Sequence, residues 1–143
     1  MKQAKNILES KGNVIWAVNP ESTVLDAIGV MADKRIGALL VMKGDSLAGV
    51  FSERDYARKV VLMGKSSRET AVGEIMTSEV VVSTPENTIE ECMSLMTTKR
   101  IRHLPVVADN KVVGVLSIGD LVNAIIEDQQ HHIEQLESYI TQG

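Results

Sequence analysis

Apolar residues recur at helical spacing in two places along the chain, at Val24, Ile28 and Met31 and again at Ile89, Met93 and Met96. Positions i, i+4 and i+7 share one face of a helix. Each stretch follows a Pro-Glu-x-Thr segment, Pro20 to Thr23 and Pro85 to Thr88, in which Ser22 or Thr23, and Asn87 or Thr88, can cap the helix. The pattern then changes. Ala38 to Met42 and Leu104 to Val107 are short unbroken apolar runs, as expected of strands buried on both faces. Lys43-Gly44-Asp45-Ser46 and Asp109-Asn110-Lys111 read as tight turns, with Leu47 to Phe51 and Val112 to Leu116 as the returning strands. A second helix is predicted after each, opening at Ser52 and at Ser117.

These two passages are copies of one another. Pro20-Glu21-x-Thr23 matches Pro85-Glu86-x-Thr88, Lys34-Arg35-Ile36 matches Lys99-Arg100-Ile101, and Gly49-Val50-x-Ser52-x-x-Asp55 matches Gly114-Val115-x-Ser117-x-x-Asp120, all 65 positions apart. Two copies are too few for an open solenoid, which needs three or more to bury its faces. The expected fold is therefore α+β, with two tandem β-α-β-β-α repeats related by a pseudo-two-fold axis. The first repeat spans residues 7–63, a Gly/Lys/Ser/Arg-bearing linker 64–73, and the second repeat 74–126. Asn6-Ile7-Leu8 and Glu74-Ile75-Met76 read as equivalent lead-ins. Residues 127–143 are a polar helical tail with Ile133, Leu136 and Ile140 in a narrow apolar stripe, able to pack on the body or on a second subunit.

Composition narrows the function classes. Charge is −4 overall and aromatics are 3% of residues, so the basic, aromatic-bearing surface of a nucleic-acid binder is not expected. No apolar run has the length of a membrane span, and the N-terminus does not read as a signal peptide. Cys92 is the single cysteine, which fits a reducing compartment, here the cytoplasm. It aligns with Ala27 beside an apolar stripe and reads as a buried thiol. His131-His132 lies in the polar tail without partners at metal-ligand spacing and reads as a solvated face.

The candidate chemistry lies in Ser52-x-x-Asp55 and Ser117-x-x-Asp120, each at a strand end opening a helix. This is the spacing of a capping box, in which serine and acid satisfy each other's backbone amides. It also places a carboxylate where it can accept bonds from the vicinal hydroxyls of a ribose, beside a helix N-terminus that favours phosphate. Both readings can hold together. Lys34-Arg35 and Lys99-Arg100 complement helix C-termini. Arg102 and His103 lie past the helix, entering a buried strand, where a phosphate would partner them. Arg54 adds charge on the second helix of copy one, where Arg58 reads as a solvated face.

The segments Ile101-Arg102-His103-Leu104-Pro105-Val106-Val107 and Gly114-Val115-Leu116-Ser117-Ile118-Gly119-Asp120, with their weaker copy Gly49 to Asp55, resemble a tandem cystathionine-β-synthase (CBS) domain pair, or Bateman module. Phe51 to Tyr56 and the polar tail are similar to stand-alone CBS-pair proteins. The resemblance implies regulatory binding of AMP, ADP or ATP, with NAD or S-adenosylmethionine as secondary candidates, in two clefts between the repeats. It implies that Asp55 and Asp120 hold ribose, with Ser52 and Ser117 nearby. Val18, Asn19, Ser83 and Thr84 would line the base pocket, and Ile36, Gly37, Ala38, Arg102 and His103 would flank base and phosphate, with Leu104 and Pro105 in the same strand. In copy one Gly37-Ala38-Leu39-Leu40 replaces Arg102-His103-Leu104-Pro105, so the two sites should differ in strength.

The chain offers no nucleophile–base pair, no metal triad and no glycine-rich phosphate loop with a catalytic lysine, so no catalytic residue and no enzyme activity are expected. A nucleotide sensor acting on an unidentified regulated protein in trans is the leading reading, with a homodimer as its expected assembly. The competing reading is a dimerisation or docking module with empty clefts. The charged set Arg102, His103 and Asp120 favours the sensor.

Overall fold

The computed structural model describes residues 2–12 and 14–142, the side chains of 141 and 142 excepted. In chain order the elements are α1 (Ala4–Lys11), β1 (Ala17–Val18), α2 (Val24–Lys34), β2 (Ala38–Lys43), β3 (Ser46–Ser52), α3 (Glu53–Asp55), α4 (Val72–Ile75), α5 (Ile89–Lys99), β4 (His103–Ala108), β5 (Lys111–Ser117) and α6 (Ile118–Gln142). They gather into two units, Val14–Val80 and Met1–Asn13 with Val81–Gly143.

The repeat is visible in the strand register. Val18 pairs with Val41 in a parallel β1–β2 ladder, and Ser83 makes the equivalent parallel bridge to Val106. The first strand of copy two is reduced to that single bridge. Ala38 faces Ser52 across the antiparallel β2–β3 pair, as His103 faces Ser117 across β4–β5, and both hairpins carry a register shift at the same place, Val41/Met42 and Val106/Val107. Both hairpin loops are two residues long. Gly44 supplies the positive φ of one, and Asp109 and Asn110, at φ 51° and 64°, supply it in the other, where a short polar side chain tolerates the left-handed conformation.

The first helix of each copy lays one face on its own hairpin. Val24, Ala27 and Met31 are buried in α2, and Ile89, Cys92 and Met96 in α5, while Ile28 and Met93 are only half-buried. The buried seam thus centres on the small residues Ala27 and Cys92, which allow the helix backbone close to the sheet, and not on the larger residues next to them. Each helix opens on a threonine cap. Thr23 Oγ1 accepts the Asp26 N–H at 3.1 Å, and Thr88 Oγ1 accepts the Glu91 N–H at 3.1 Å, with the Glu91 carboxylate accepting the Thr88 N–H in return. Thr23→Ala and Thr88→Ala should each cost about 1 kcal/mol in urea unfolding. An unchanged midpoint would show that these hydroxyls do not set the helix starts.

The lead-in segments are exchanged between the copies. Gln3, at the start of α1, bridges Thr88 of copy two, and Ala71, before α4, bridges Thr23 of copy one. α1 buries Ala4, Ile7 and Leu8 in a core with Ile89, Cys92, Met96, Leu104, Val106, Leu116, Leu121 and Ala124. The other core is built from Val24, Ala27, Met31, Leu39, Val41, Phe51 and Val60 with Val72 and Ile75 of α4. The compact units therefore cut across the sequence repeats at each lead-in.

The second helices differ. In copy one α3 is a single turn that widens into a π-turn over Tyr56–Val61, with Leu62 N–H bonding the Ala57 carbonyl at 3.0 Å. In copy two α6 runs 25 residues, straight through the expected tail boundary after residue 126, a length of about 37 Å. Among the described residues no helix is long and apolar enough to cross a membrane.

Candidate functional site

Each Ser-x-x-Asp motif sits where its hairpin hands over to a helix. In copy two, Ser117 Oγ accepts the Asp120 N–H at 3.1 Å and Asp120 Oδ2 accepts the Ser117 N–H at 2.8 Å, a reciprocal cap at the start of α6. A third group enters from α1: Lys11 Nζ donates to Asp120 Oδ2 at 2.7 Å and to the Val115 carbonyl at 2.8 Å. The Lys11 bond and the Ser117 amide bond both fall on Asp120 Oδ2. Partial burial opposes ionisation of Asp120, but the Lys11 ammonium and the Ser117 amide outweigh it and hold the carboxyl below the usual aspartate range.

Because the folded-state pKa of Asp120 is depressed, its contribution to stability is present above the ordinary aspartate pKa and is lost as pH falls toward the folded value. Replacing Lys11 with methionine removes the main opponent of burial, so acid unfolding should begin at higher pH in Lys11→Met than in the native chain. Coincident acid-unfolding curves followed by circular dichroism would contradict that coupling.

The strand entry of copy two runs past the same corner. The Arg102 carbonyl accepts the Ile118 N–H at 2.9 Å, and His103, half-buried, faces Ser117 across the strand pair. The backbone of Arg102 and His103 thus lies beside Ser117 and the start of α6 at one end of the β4–β5 hairpin. Ser83 lies further along β4, buried, with its N–H and Oγ both donating to the Pro105 carbonyl at 2.9 and 3.2 Å. Thr84 is exposed, and its N–H and Oγ donate to Asn87 Oδ1. Leu104 belongs to the core, so strand alternation sets it on the face opposite His103 and Pro105. Cys92 is buried in the same core, and burial raises its thiol pKa, which keeps the sulfur protonated and unreactive.

Copy one repeats the backbone frame with different side chains. The Gly37 carbonyl accepts the Glu53 N–H at 3.0 Å, and Ala38 stands where His103 stands in copy two. Asp55 is buried and fully occupied by protein groups. Its Oδ2 accepts the Ser52 N–H and Oγ–H at 3.0 and 3.1 Å, and its Oδ1 accepts Thr77 Oγ1 and Lys59 Nζ, each at 3.2 Å. Val18 pairs in the sheet, Asn19 Oδ1 accepts the Glu21 N–H, Ile36 packs against the core, and Arg54 is exposed on α3.

Three participants have no place in the sequence reading: Lys11, Thr77 and Lys59. Lys59 is four residues after Asp55 and could have been found from helical spacing. Lys11 and Thr77 reach their aspartates only through the exchanged lead-ins, which no local pattern signals.

The CBS domain family model matches residues 9–62 and again 72–127, one match to each copy. The chain belongs to the CBS domain family. Among its relatives, the mitochondrial CBS domain-containing protein CBSX3 of Arabidopsis thaliana is 39% identical over 148 aligned residues, covering 96% of this chain and 71% of that protein. The structure of a proposed signal-transduction protein with CBS domains from Burkholderia ambifaria is 50% identical with a TM-score of 0.86, covering 90% of this chain and 96% of that one. The CBS domain pair of MJ0100, in complex with 5′-methylthioadenosine and S-adenosyl-L-methionine, shares the fold at 21% identity and a TM-score of 0.79, covering 90% and 98%. The α+β arrangement of two CBS repeats with a C-terminal helix is that of this family.

Proposed function

We propose that this CBS pair is a non-catalytic regulatory module that binds an adenine nucleotide of the AMP, ADP or ATP type at the Asp120 corner and signals to a partner protein in trans. One observation carries the reading. Asp120 is held ionised by Lys11 and the Ser117 amide, which both bond Oδ2 and so fix how the carboxylate is turned. An oriented carboxylate oxygen of this kind accepts the two hydroxyls of a ribose, and the α6 N-terminus and the Arg102–His103 pair lie beside it for phosphate. Of the fold's members, the MJ0100 pair takes adenosine compounds.

The Asp55 corner is the weaker site. Four protein donors already fill its carboxylate, and Gly37-Ala38 supplies no cation at the strand entry. That arrangement favours a mainly structural role for copy one, as a cap tying α3 to the α4 lead-in.

Assembly as a homodimer completes the reading, since apolar side chains stand exposed along α6. A single buried cysteine fits a reducing compartment such as the cytoplasm, with the mitochondrial relative as a reminder that an organelle matrix serves equally.

Calorimetric titration with AMP and with adenosine tests the phosphate half of the site. Each charge-assisted bond from Arg102 or His103 contributes about 1.5–3 kcal/mol, so AMP should bind at least about tenfold more tightly than adenosine. Equal affinities would remove Arg102 and His103 from the site.

A further inference from the structure

α6 carries two apolar faces with different duties. Leu121 and Ala124 are buried in the core, with Ile125 packed against it. Val122, Ile126, Ile133, Leu136 and Ile140 lie along a second line and are exposed, by 43%, 56%, 48%, 62% and 75%. Since each helical residue turns about 100°, the second line runs roughly 100° around the helix from the first. It is not an overrun of the core stripe. It passes beside the core as well as beyond it, over a length of about 27 Å. Lys2, which ion-pairs with Glu127 and Asp128 at 3.4 and 3.3 Å, sits on a different side of the helix and leaves this line open.

The spacing of the line is heptad. From Val122 to Ile140, Ile126, Ile133 and Ile140 take the a positions, and Val122, Gln129 and Leu136 the d positions. We propose that α6 pairs with α6 of a second copy of this chain as a parallel two-stranded coiled coil, with Gln129 fixing its register. The proposal rests on the homodimer reading above and gives that dimer its geometry. Within a parallel coil, β-branched isoleucine at a with leucine at d, here Leu136, favours two strands over three or four. The polar layer decides orientation independently. In a parallel pair Gln129 meets Gln129 of the second copy, and the two amides hydrogen-bond to each other. In the antiparallel pairing that matches a with d, Gln129 is set against Ile133 and buries an unpaired amide.

Sedimentation of the full chain at micromolar concentration, without nucleotide, tests this. The native chain should be a dimer. Ile133→Glu, at an exposed position that leaves the fold intact by circular dichroism, should raise the dimer dissociation constant by about a hundredfold, and Gln129→Leu should lower it by about tenfold. Leu136→Cys should yield a disulfide-linked dimer on mild oxidation, because a d residue meets its own copy only in the parallel arrangement. The native chain, whose Cys92 is buried, is the control. A dimer indifferent to Ile133→Glu overturns the coiled coil while the dimer reading stands. Failure of Leu136→Cys to cross-link overturns the parallel orientation. A monomeric native chain overturns both the coil and the dimer.

Discussion

Asp120→Asn is expected to weaken adenine-nucleotide binding by about tenfold to a hundredfold, the loss of roughly 1.5–3 kcal/mol in charge-assisted hydrogen bonding to ribose. Folding should suffer much less. The amide still caps α6 through its carbonyl, and the Lys11 contact it gives up is a partly exposed ion pair, so the stability loss should be about 1 kcal/mol or less. Asp55→Asn should show the opposite balance. That carboxylate is buried and accepts from Ser52, Thr77 and Lys59, so an amide there leaves a buried network short of an acceptor and should cost about 1–3 kcal/mol of stability, with little change in affinity. Paired urea unfolding and calorimetry on the two variants check this. Equal losses of affinity would contradict the inequivalence of the two corners, and a large stability loss with unchanged affinity at Asp120 would make it a helix cap only.

A second pair of substitutions addresses the exchanged lead-ins. A Cβ at Gly49 would stand 2.7 Å from the Thr77 carbonyl oxygen and 2.7 Å from Met76 Sδ, and one at Gly114 would stand 2.5 Å from Leu8 Cδ2. Backbone cannot step aside as a leucine terminus can. Thr77 is tied to Val50 by two hydrogen bonds of 3.0 and 2.9 Å, and Gly49→Ala must strain or break them. Gly49→Ala should therefore cost about 2–4 kcal/mol, combining overpacking with lost bridge bonds, against about 1–2 kcal/mol for Gly114→Ala. Chemical denaturation measures both, and a larger cost at Gly114 would contradict the packing of Thr77 on β3.

Much of this architecture is legible in the sequence because the signals are local and doubled. The helix faces, the threonine caps, the two-residue turns and the Ser-x-x-Asp corners are each set by residues within a few positions, and the second copy checks the first. What escapes is decided at long range. Nothing near Ile7 or Ile75 says which copy receives the lead-in. Each lead-in is received at a glycine distant in sequence, Leu8 at Gly114 and Met76 at Gly49, more than twenty residues away in each case. Lys11 and Thr77 escape the sequence for the same reason, and with them the different hydrogen bonding of Asp55 and Asp120. Of each helix face read from spacing, Val24 and Met31 and likewise Ile89 and Met96 are buried, while the middle position passes from Ile28 and Met93 to the smaller Ala27 and Cys92, which fit closer to the sheet. The change of polarity after Ile126 marks the end of the core stretch of α6, and the helix itself continues through the tail.

The most direct measurement is thermal unfolding of the native chain with AMP, ADP, ATP, NADH or S-adenosylmethionine. At one hundred times its dissociation constant a single ligand adds about 2.7 kcal/mol to the state that binds it. One or more of AMP, ADP and ATP should raise the melting temperature in a concentration-dependent way, and Asp120→Asn should remove most of that rise at the same concentration. No shift with any of the five at millimolar concentration, or a shift that Asp120→Asn leaves intact, would contradict nucleotide binding at the Asp120 corner.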